Sequence, residues 1–445
     1  MKKLSKFFLN AVAISTIVTF SVSCGDDDPA PVVDTTIKLS ESTLHFTSKA
    51  ESPQTIEVTS AIEWDVAEEL DWITVEKQGG NLIVTAQPSR SLDNREGVIT
   101  VAESANPANK AEISVTQDHG TPVQYDRIVY GIPIEHLSPN GRYAAGEYDI
   151  TGVVIDLYQI ADENYVPATY TGATTPSLIS DGSFLLRGVD DTGTPFARGV
   201  TADGSTTVKH ESNAENIYAP YLVKNGISTP LDFPSSYVTE EQYKGVYVDL
   251  ISADGKYILG RINADGATWI ACKWTLEGNS YVFSEIAPDK VTYNEDYFRF
   301  DQYPCPQNVT GLSVMGEYSS GVIRTPQFGT IFNPIPATYI PYSYKMSDGT
   351  LTLVDDETDA NACYVTDDGT LFYSSPYEFP FGGDRTPHVY KNGAKLAFSE
   401  WVNSTYGLTV EDKGIVAAVA KDYSVVIWFT FEPTGWANHF IIVEP

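Results

Sequence analysis

Beyond residue 125 the chain repeats itself, and internal repetition constrains a fold more tightly than any other feature of this sequence. One unit reads Ser138-Pro139-Asn140-Gly141-Arg142-Tyr143-Ala144-Ala145-Gly146-Glu147-Tyr148, and a second reads Ser252-Ala253-Asp254-Gly255-Lys256-Tyr257-Ile258-Leu259-Gly260. A third, more diverged, is Gly311-Leu312-Ser313-Val314-Met315-Gly316-Glu317-Tyr318. Looser copies start at Ser180-Asp181-Gly182, Thr366-Asp367-Asp368-Gly369 and Asp412-Lys413-Gly414. Asp-Gly and Asn-Gly supply the positive φ of a tight turn, and the apolar residues after them read as a buried strand. In the three fuller units a Gly recurs five residues after the first, where a strand ends sharply or another backbone comes close. A second element recurs downstream at Tyr221–Gly226, His388–Gly393 and Ala271–Thr275, and reads as a strand running into a Lys-Asn-Gly hairpin. Spacings between the leading glycines are 41, 73, 56, 58 and 45 residues. Units that cannot bury their apolar faces alone must stack, so residues 125–445 are expected to form a β-propeller-like repeat domain of roughly five to seven blades. The final strand, Asn438–Val443, is expected to pair with Arg127-Ile128-Val129-Tyr130 and join the last blade to the first.

Residues 37–118 carry a different pattern, of short runs that alternate apolar with polar. These include Thr55-Ile56-Glu57-Val58, Trp64-Asp65-Val66, Leu82–Ala86, Val98–Val101 and Ala111–Val115, with turn residues between them. Such spacing predicts an immunoglobulin-like β-sandwich. The segment closely resembles the BACON domain of Bacteroidetes surface proteins. The resemblance rests on Trp64-Asp65-Val66, Trp72-Ile73-Thr74-Val75, Asn94-Arg95-Glu96-Gly97 leading into Val98–Val101, and a closing Ile113-Ser114-Val115-Thr116-Gln117. It implies a spacer, with carbohydrate binding only loosely attached to the family. Residues 118–124, with Gly and Pro and no apolar periodicity, read as the linker. The turn and hairpin elements of residues 125–445 together resemble the extracellular HAF repeat family and, more broadly, propeller blades. The fold class expected for the whole chain is therefore all-β, a sandwich followed by a propeller-like domain.

Ahead of both domains stands what reads as an address. Lys2, Lys3 and Lys6 precede the apolar stretch Phe7–Phe20, which has the length of a signal h-region rather than of a membrane span. Ser21-Val22-Ser23-Cys24 resembles the lipobox of bacterial lipoproteins, with Ser21 where that family usually has Leu. The resemblance implies cleavage after residue 23, lipidation of Cys24 and anchoring in the outer membrane. Residues 24–36, with Asp26-Asp27-Asp28 and Pro29-Ala30-Pro31, read as a tether, and the acidic run resembles the surface-export signal of Bacteroidetes lipoproteins.

Charge narrows the partners. With 28 basic and 59 acidic residues the net charge is −31, so nucleic acid is excluded as a natural ligand. The expected partners are the membrane through the lipid anchor, a polysaccharide or glycan, and a partner surface protein. Cys24, Cys272, Cys305 and Cys363 form no C-x-x-C pair, and one disulfide among the last three is left open. His45, His119, His136, His210, His388 and His439 show no metal-ligand spacing, and no G-x-S-x-G elbow occurs. No catalytic residue, metal site or cofactor is expected. Glu147 and Glu317 share a Gly-Glu-Tyr context, which suggests one repeated structural position. Trp64, Trp72, Trp274 and Trp428 read as core, whereas Trp269, Trp401 and Trp436, in or beside turn-like segments, are the ligand-binding candidates. The expected function is a non-catalytic cell-surface lipoprotein that binds a glycan or partner protein through its propeller. The alternatives are a glycosidase or lyase on the propeller and a purely structural or adhesion protein.

Overall fold

Alternation in the first domain folds as it reads. The computed structural model describes residues 35–445 apart from 128, 130, 149–150, 172–178, 181–182, 185–187, 197–198, 240–242, 265–267, 287–290, 295–298, 303–305, 325–327, 331–332, 336–338, 355–359, 375–384 and 433–434. Eight strands make two four-stranded sheets: β1 (Lys38–Leu39), β2 (Thr43–Phe46), β3 (Gln54–Thr59), β4 (Trp64–Ala67), β5 (Ile73–Gln78), β6 (Asn81–Ala86), β7 (Arg95–Glu103) and β8 (Lys110–Gln117). One sheet runs β1-β3-β6-β5 and the other β2-β8-β7-β4. Every second residue faces inward, so Ile56, Leu82, Val84, Ile99, Val101, Ile113 and Val115 are fully enclosed between the sheets. Trp64 and Trp72 join this core as expected, with the Lys77 ammonium 4.1 Å from the centroid of the Trp64 ring.

The span read as linker turns out to be structural. Residues Thr121–Arg127 form β9, which pairs antiparallel with the chain's final strand, Gly435–Glu444, from Thr121↔Glu444 to Arg127↔Asn438. The final strand therefore does recruit the start of the second domain, but six residues earlier along the chain than expected. Val123 stands opposite Ile442 and Tyr125 opposite Phe440, whereas Ile128 and Tyr130 lie outside the described residues, and β9 tolerates Pro122 because it is the outermost strand of its sheet.

The rest of the chain is a ring of small antiparallel sheets. The first blade holds Ile134–Leu137, Tyr143–Tyr148, Thr151–Asp156 and Ala168–Thr171; in the second, the described residues show Gly188–Val189 paired with Pro195–Phe196, preceded by the short hairpin Ile179–Ser180 and Ser183–Phe184. The third holds Thr206–Ser212, Tyr218–Lys224 and Ile227–Pro230, with Val200 bridging to Thr207; among the described residues its strand pairing with the fourth is the parallel pair Tyr218↔Gly245, and Val208 and Leu231 pack against Val246 and Val248. The fourth holds Tyr243–Ile251, Tyr257–Ala264, Thr268–Glu277 and Ser280–Glu285. The fifth holds Pro306–Leu312, Tyr318–Arg324, Tyr339–Lys345 and Leu351–Leu353. The sixth holds Asn361–Val365, Leu371–Ser374, Pro387–Lys391 and Ala394–Ala397, and the seventh Ile415–Val419, Val425–Glu432, Gly435–Glu444 and β9. Separate apolar clusters glue neighbours together: Val153, Ile155, Ile427 and Phe440 join the first blade to the seventh, and Phe372 and Trp428 join the sixth to the seventh.

Within each blade the first two strands meet at the turn the sequence advertises. Ser252 shows the design: its N–H donates to Tyr257 O (2.9 Å), its hydroxyl accepts from Tyr257 N–H (3.0 Å) and donates to Asp254 (2.7 Å), and Gly255 takes φ +73°. The same arrangement recurs at Ser138–Tyr143, Asp190–Thr194, Thr201–Thr206, Ser313–Tyr318, Thr366–Thr370 and Ala420–Val425, which makes seven turns among the described residues. They hold one another in a circuit. Asn140 N–H donates to Asp191 Oδ1 (2.8 Å), Asp191 N–H to Ala202 O (3.0 Å), Ala202 N–H to Ala253 O (3.0 Å), Ala253 N–H to Val314 O (2.9 Å) and Met315 N–H to Asp367 Oδ1 (2.9 Å). The Tyr423 hydroxyl donates to Asp368 Oδ1 (2.8 Å), and Gly141 lies against Ala420 and Ser424 to complete the round.

Three details of the repeat reading are corrected. In the third unit the turn glycine is Gly316, not Gly311, which lies in the strand Pro306–Leu312; Glu317 therefore matches Arg142 and not Glu147, and the two glutamates are not equivalent. The seventh turn is Ala420–Tyr423, not Asp412-Lys413-Gly414, and Tyr423 itself adopts φ +60° in place of a glycine. The turns at Asp190 and Thr201 were missed because they stand only eleven residues apart, too close for two blades of ordinary length. Asp181-Gly182 lies outside the described residues. The recurring second glycine behaves as expected: a side chain at Gly260 would collide with Tyr247 O, because the inner strand bulges there between Val248 and Leu250. The Asn-Gly hairpins are also as read, with positive φ at Asn225, Gly226, Asn392 and Gly393.

Candidate functional site

The two ends of the ring differ. Inner strands run toward the turn circuit and second strands run away from it, so all seven turns lie at one end. The third-to-fourth hairpins at Asn225-Gly226, Gly278-Asn279 and Asn392-Gly393 share that end and are equally short. The strands that bound the longer connections, Pro230 to Tyr243, Glu285 to Pro306, Arg324 to Tyr339 and Ser374 to Pro387, end and begin at the opposite end, which also carries the helix-bearing span 398–414. Short turns give rigidity, whereas longer loops on a rigid frame are where binding surfaces are built. The loop end is the candidate functional face.

A central cavity of about 530 Å³ runs between the inner strands. Its walls are largely apolar, from Val189, Val200, Leu312 and Val416, and its polar groups include Glu135, His136, Ser313, Tyr364 and Arg385. Arg385 is positioned by its own backbone, since Gly414 N–H donates to Arg385 O (2.7 Å). A guanidinium, a carboxylate, an imidazole and two hydroxyls in an apolar channel can hold a small polar ligand. A second cavity, of about 260 Å³, lies between β9 and the first blade and is lined by Arg127, Tyr165 and Val166. The Arg127 guanidinium there donates to Ile160 O (2.7 Å).

The three candidate tryptophans part company. Trp401 sits not in a turn but on the helix Phe398–Tyr406, is 4% exposed, and meets Phe372 edge-on at 4.9 Å. It is a core residue, which withdraws it as a ligand platform; the apolar i, i+3, i+4 spacing of Phe398, Trp401 and Val402 was the available signal for that helix. Trp436 is half-buried in the final strand, opposite Phe431, and its ring stands 5.1 Å edge-on from both Phe429 and Phe431. Phe431 is 52% exposed, and the pair flanks the Glu432↔Gly435 hairpin at the loop end. Trp269 opens the third strand of the fourth blade, opposite Asn263, so its backbone stands at the same end; its side chain lies outside the described residues. Trp274 and Trp428 are core, as read. Tyr148, 62% exposed and paired with Thr151, adds another aromatic to the loop end. Sequence reasoning passed over Phe431 and Tyr148 because it searched turns rather than strand ends.

One polar chain has the outline of a nucleophilic relay. Thr430 Oγ1 and His439 Nε2 are 3.0 Å apart, and His439 Nδ1 lies 2.7 Å from Asp126 Oδ1. These residues come from three adjacent strands of the seventh blade, and the His439 ring stacks on Trp428. A nucleophile needs an accessible oxygen and positive or donor groups where the oxyanion forms. Thr430 is only 4% exposed, and its hydroxyl lies 3.5 Å from the Glu432 carboxylate, which is paired with Lys413, so the threonine is enclosed rather than presented to a substrate. The chain ties β9 to its neighbours.

Among the described residues no group of three or more His, Cys, Asp or Glu side chains could hold a metal ion. Cys272 is a buried free thiol whose pKa desolvation pushes well up, so it is inert. Cys24, Cys305 and the side chain of Cys363 lie outside the described residues.

The strand pairing defines a two-domain all-β protein, an immunoglobulin-like sandwich followed by a β-propeller-like repeat domain. No protein-family model matches the chain, and no curated protein matches it. Among solved structures it is similar to the β-propeller domain of the Trilobed protease from Pyrococcus furiosus, at 10% identity over 68% of this chain and 79% of that one, with a TM-score of 0.33. It is also similar to Trypanosoma rangeli sialidase in complex with the inhibitor DANA, at 11% identity over 71% of this chain and 55% of that one, TM-score 0.36. A third likeness, to a Bacteroides ovatus GH5 xyloglucanase, has 16% identity over 24% of this chain and 27% of that one, TM-score 0.18. None of these activities transfers to this chain.

Proposed function

We propose that the chain is a lipoprotein anchored in the outer membrane through Cys24, whose sandwich holds the propeller away from the membrane so that its loop end binds a glycan without transforming it. The observation that carries this reading is the path of the chain. It enters the sandwich at the far end, where the Asn109 side chain donates to Thr35 O (2.8 Å) just before β8. It then runs along β8 and reaches the propeller at Thr121, the turn end of the seventh blade, opposite Glu444. A tether at residues 24–36 thus leads to the sandwich, then the turn circuit, and last the loop end. Eight residues of β8 at about 3.3 Å each add roughly 25 Å of reach. The exposed Phe431 beside the half-buried Trp436, with the exposed Tyr148 at the same end, suits the apolar face of a sugar ring.

Two measurements test the reading. Palmitate labelling in the native host is expected for the parent and lost in Cys24→Ala; labelling that persists in the variant overturns the anchor. Affinity electrophoresis of the full chain through gels containing soluble polysaccharides is expected to retard the parent with at least one glycan and to release Phe431→Ala. Retardation that the substitution leaves unchanged overturns the assignment of this face, and release of reducing sugar overturns the non-catalytic reading.

A further inference from the structure

The junction between the domains is more than a covalent link. The sandwich loop after β6 carries Arg90, whose guanidinium donates to Val443 O in the final strand (3.1 Å) and lies 3.7 Å over the centroid of the Tyr158 ring. Val443 belongs to the seventh blade and Tyr158 to the first. One side chain from the sandwich therefore touches both blades that meet where the ring begins and ends. Burial opposes the charge on Arg90, and Tyr158, Glu444 and Asp156 act against that effect. Leu92, two residues on, packs against the apolar cluster that contains Val443 and Ile441. Gly120 lies against Val443, Glu444 and the Ser89 backbone, where a side chain would collide.

The loop is held in place before it reaches the propeller. Gln87 N–H donates to Trp72 O (2.8 Å), the Gln117 amide donates to Gln87 O (2.8 Å), Ser89 N–H donates to Ser48 O (2.7 Å), and Gly120 N–H donates to Ser91 O (2.8 Å). A contact delivered by a loop already fixed to its own core costs little further ordering entropy. Among the described residues no strand of the first blade pairs with the seventh, so the seam is carried by side chains, those of the apolar cluster and of Asn438 from within and Arg90 from outside.

We propose that the sandwich is a clamp on the propeller seam: Arg90, stacked on Tyr158 and bonded to Val443 O, couples the first and seventh blades to each other and fixes the angle between the domains. The spacer and the binding domain then move as one body, so the loop end is held in a set direction from the tether. This holds whatever the ligand, and whether or not there is one.

Amide hydrogen exchange of the full chain tests the clamp in Arg90→Ala, Arg90→Lys and Tyr158→Ala. Loss of a carbonyl hydrogen bond and a cation–π contact is expected to speed exchange about tenfold in residues 435–444 and in residues 153–160, on both sides of the seam, while β7 exchanges as in the parent. Arg90→Lys, which keeps the charge and loses the planar stack, should fall between. If Arg90→Ala disturbs the sandwich itself, Tyr158→Ala carries the test, since it removes the stack from the propeller side at a 43% exposed position. Exchange changed by less than about twofold on either side of the seam in Tyr158→Ala overturns the proposal, as does a change confined to the sandwich loop in Arg90→Ala.

Discussion

Asn438→Ala removes the side chain that stitches the last blade to the entry of the first. Asn438 is fully buried; its amide nitrogen donates to Ile132 O (2.8 Å) and its carbonyl accepts from Ile134 N–H (2.8 Å). Ile132 and Ile134 are themselves buried, so after the substitution a carbonyl and an N–H are stranded away from water. Each stranded group costs about 1–3 kcal/mol, which puts the loss at about 2–6 kcal/mol. In a domain of this size that lowers the melting temperature by about 3–9 °C. Differential scanning calorimetry of the full chain reads the shift. Asn438→Asp should be no better at neutral pH, since a carboxylate can accept from Ile134 but cannot donate to Ile132 and would be a buried charge. Asn403→Ala, on the exposed face of the helix, serves as the control. A melting temperature for Asn438→Ala within about 1 °C of the parent would refute the claim that these two bonds hold the seam.

Trp401→Ala should destabilise by about 3–5 kcal/mol through a cavity beside Phe372 and Phe398. Trp436→Ala should cost less stability and more glycan retardation; the reverse order of melting temperatures would sink the division between them. Tyr423→Phe should lose about 1–2 kcal/mol, because the hydroxyl that bonds Asp368 and lies near Thr366 and Thr370 is what offsets the left-handed backbone at Tyr423, and a neutral outcome in denaturant unfolding would count against this. Burial alone would raise the pKa of Asp368, but hydrogen bonds from Thr366, Lys391, Tyr423 and Thr370 hold it well below the usual carboxylate range. A pKa depressed in the folded state adds stability that is complete above the unfolded value of about 3.9 and fades as pH falls below it. The deficit of Asp368→Asn in melting temperature should therefore be widest near neutrality and shrink below about pH 4; a deficit constant down to about pH 3 would contradict the assignment.

What could be read from the sequence is what local chemistry decides. Period-two alternation placed Ile56, Val84, Ile99 and Val115 inside a sandwich, and Asp-Gly or Asn-Gly pairs marked turns, because both signals depend only on near neighbours. The register of the third repeat was misplaced because Gly311 and Gly316 lie within three residues on either side of Ser313, and the hydrogen bond from Ser313 N–H to Tyr318 O with the positive φ of Gly316 marks which of them makes the turn. Tyr423 concealed the seventh turn, since its positive φ is held by groups from another blade, far off in sequence. β9 was hidden for a similar reason: a strand with Pro122 and little alternation gains its stability from a partner more than 300 residues away. For the candidate site, Trp436 does lie at the loop end, whereas Trp401 misled because Asn403-Ser404-Thr405 looks like a turn when the helix around it is built by tertiary packing.

The proposed outward direction of the loop end and the proposed clamp on the seam both depend on β9, the strand through which the sandwich feeds the propeller. Amide hydrogen exchange of residues 121–127 in the full chain tests it directly. Because β9 is the outer strand of the seventh blade, the alternate amides that point at Gly435–Glu444 are expected to exchange in step with the final strand and at least about 10³-fold slower than a free peptide. Exchange at the free-peptide rate, as a linker would show, would contradict the pairing and with it the order of tether, sandwich, turn circuit and loop end.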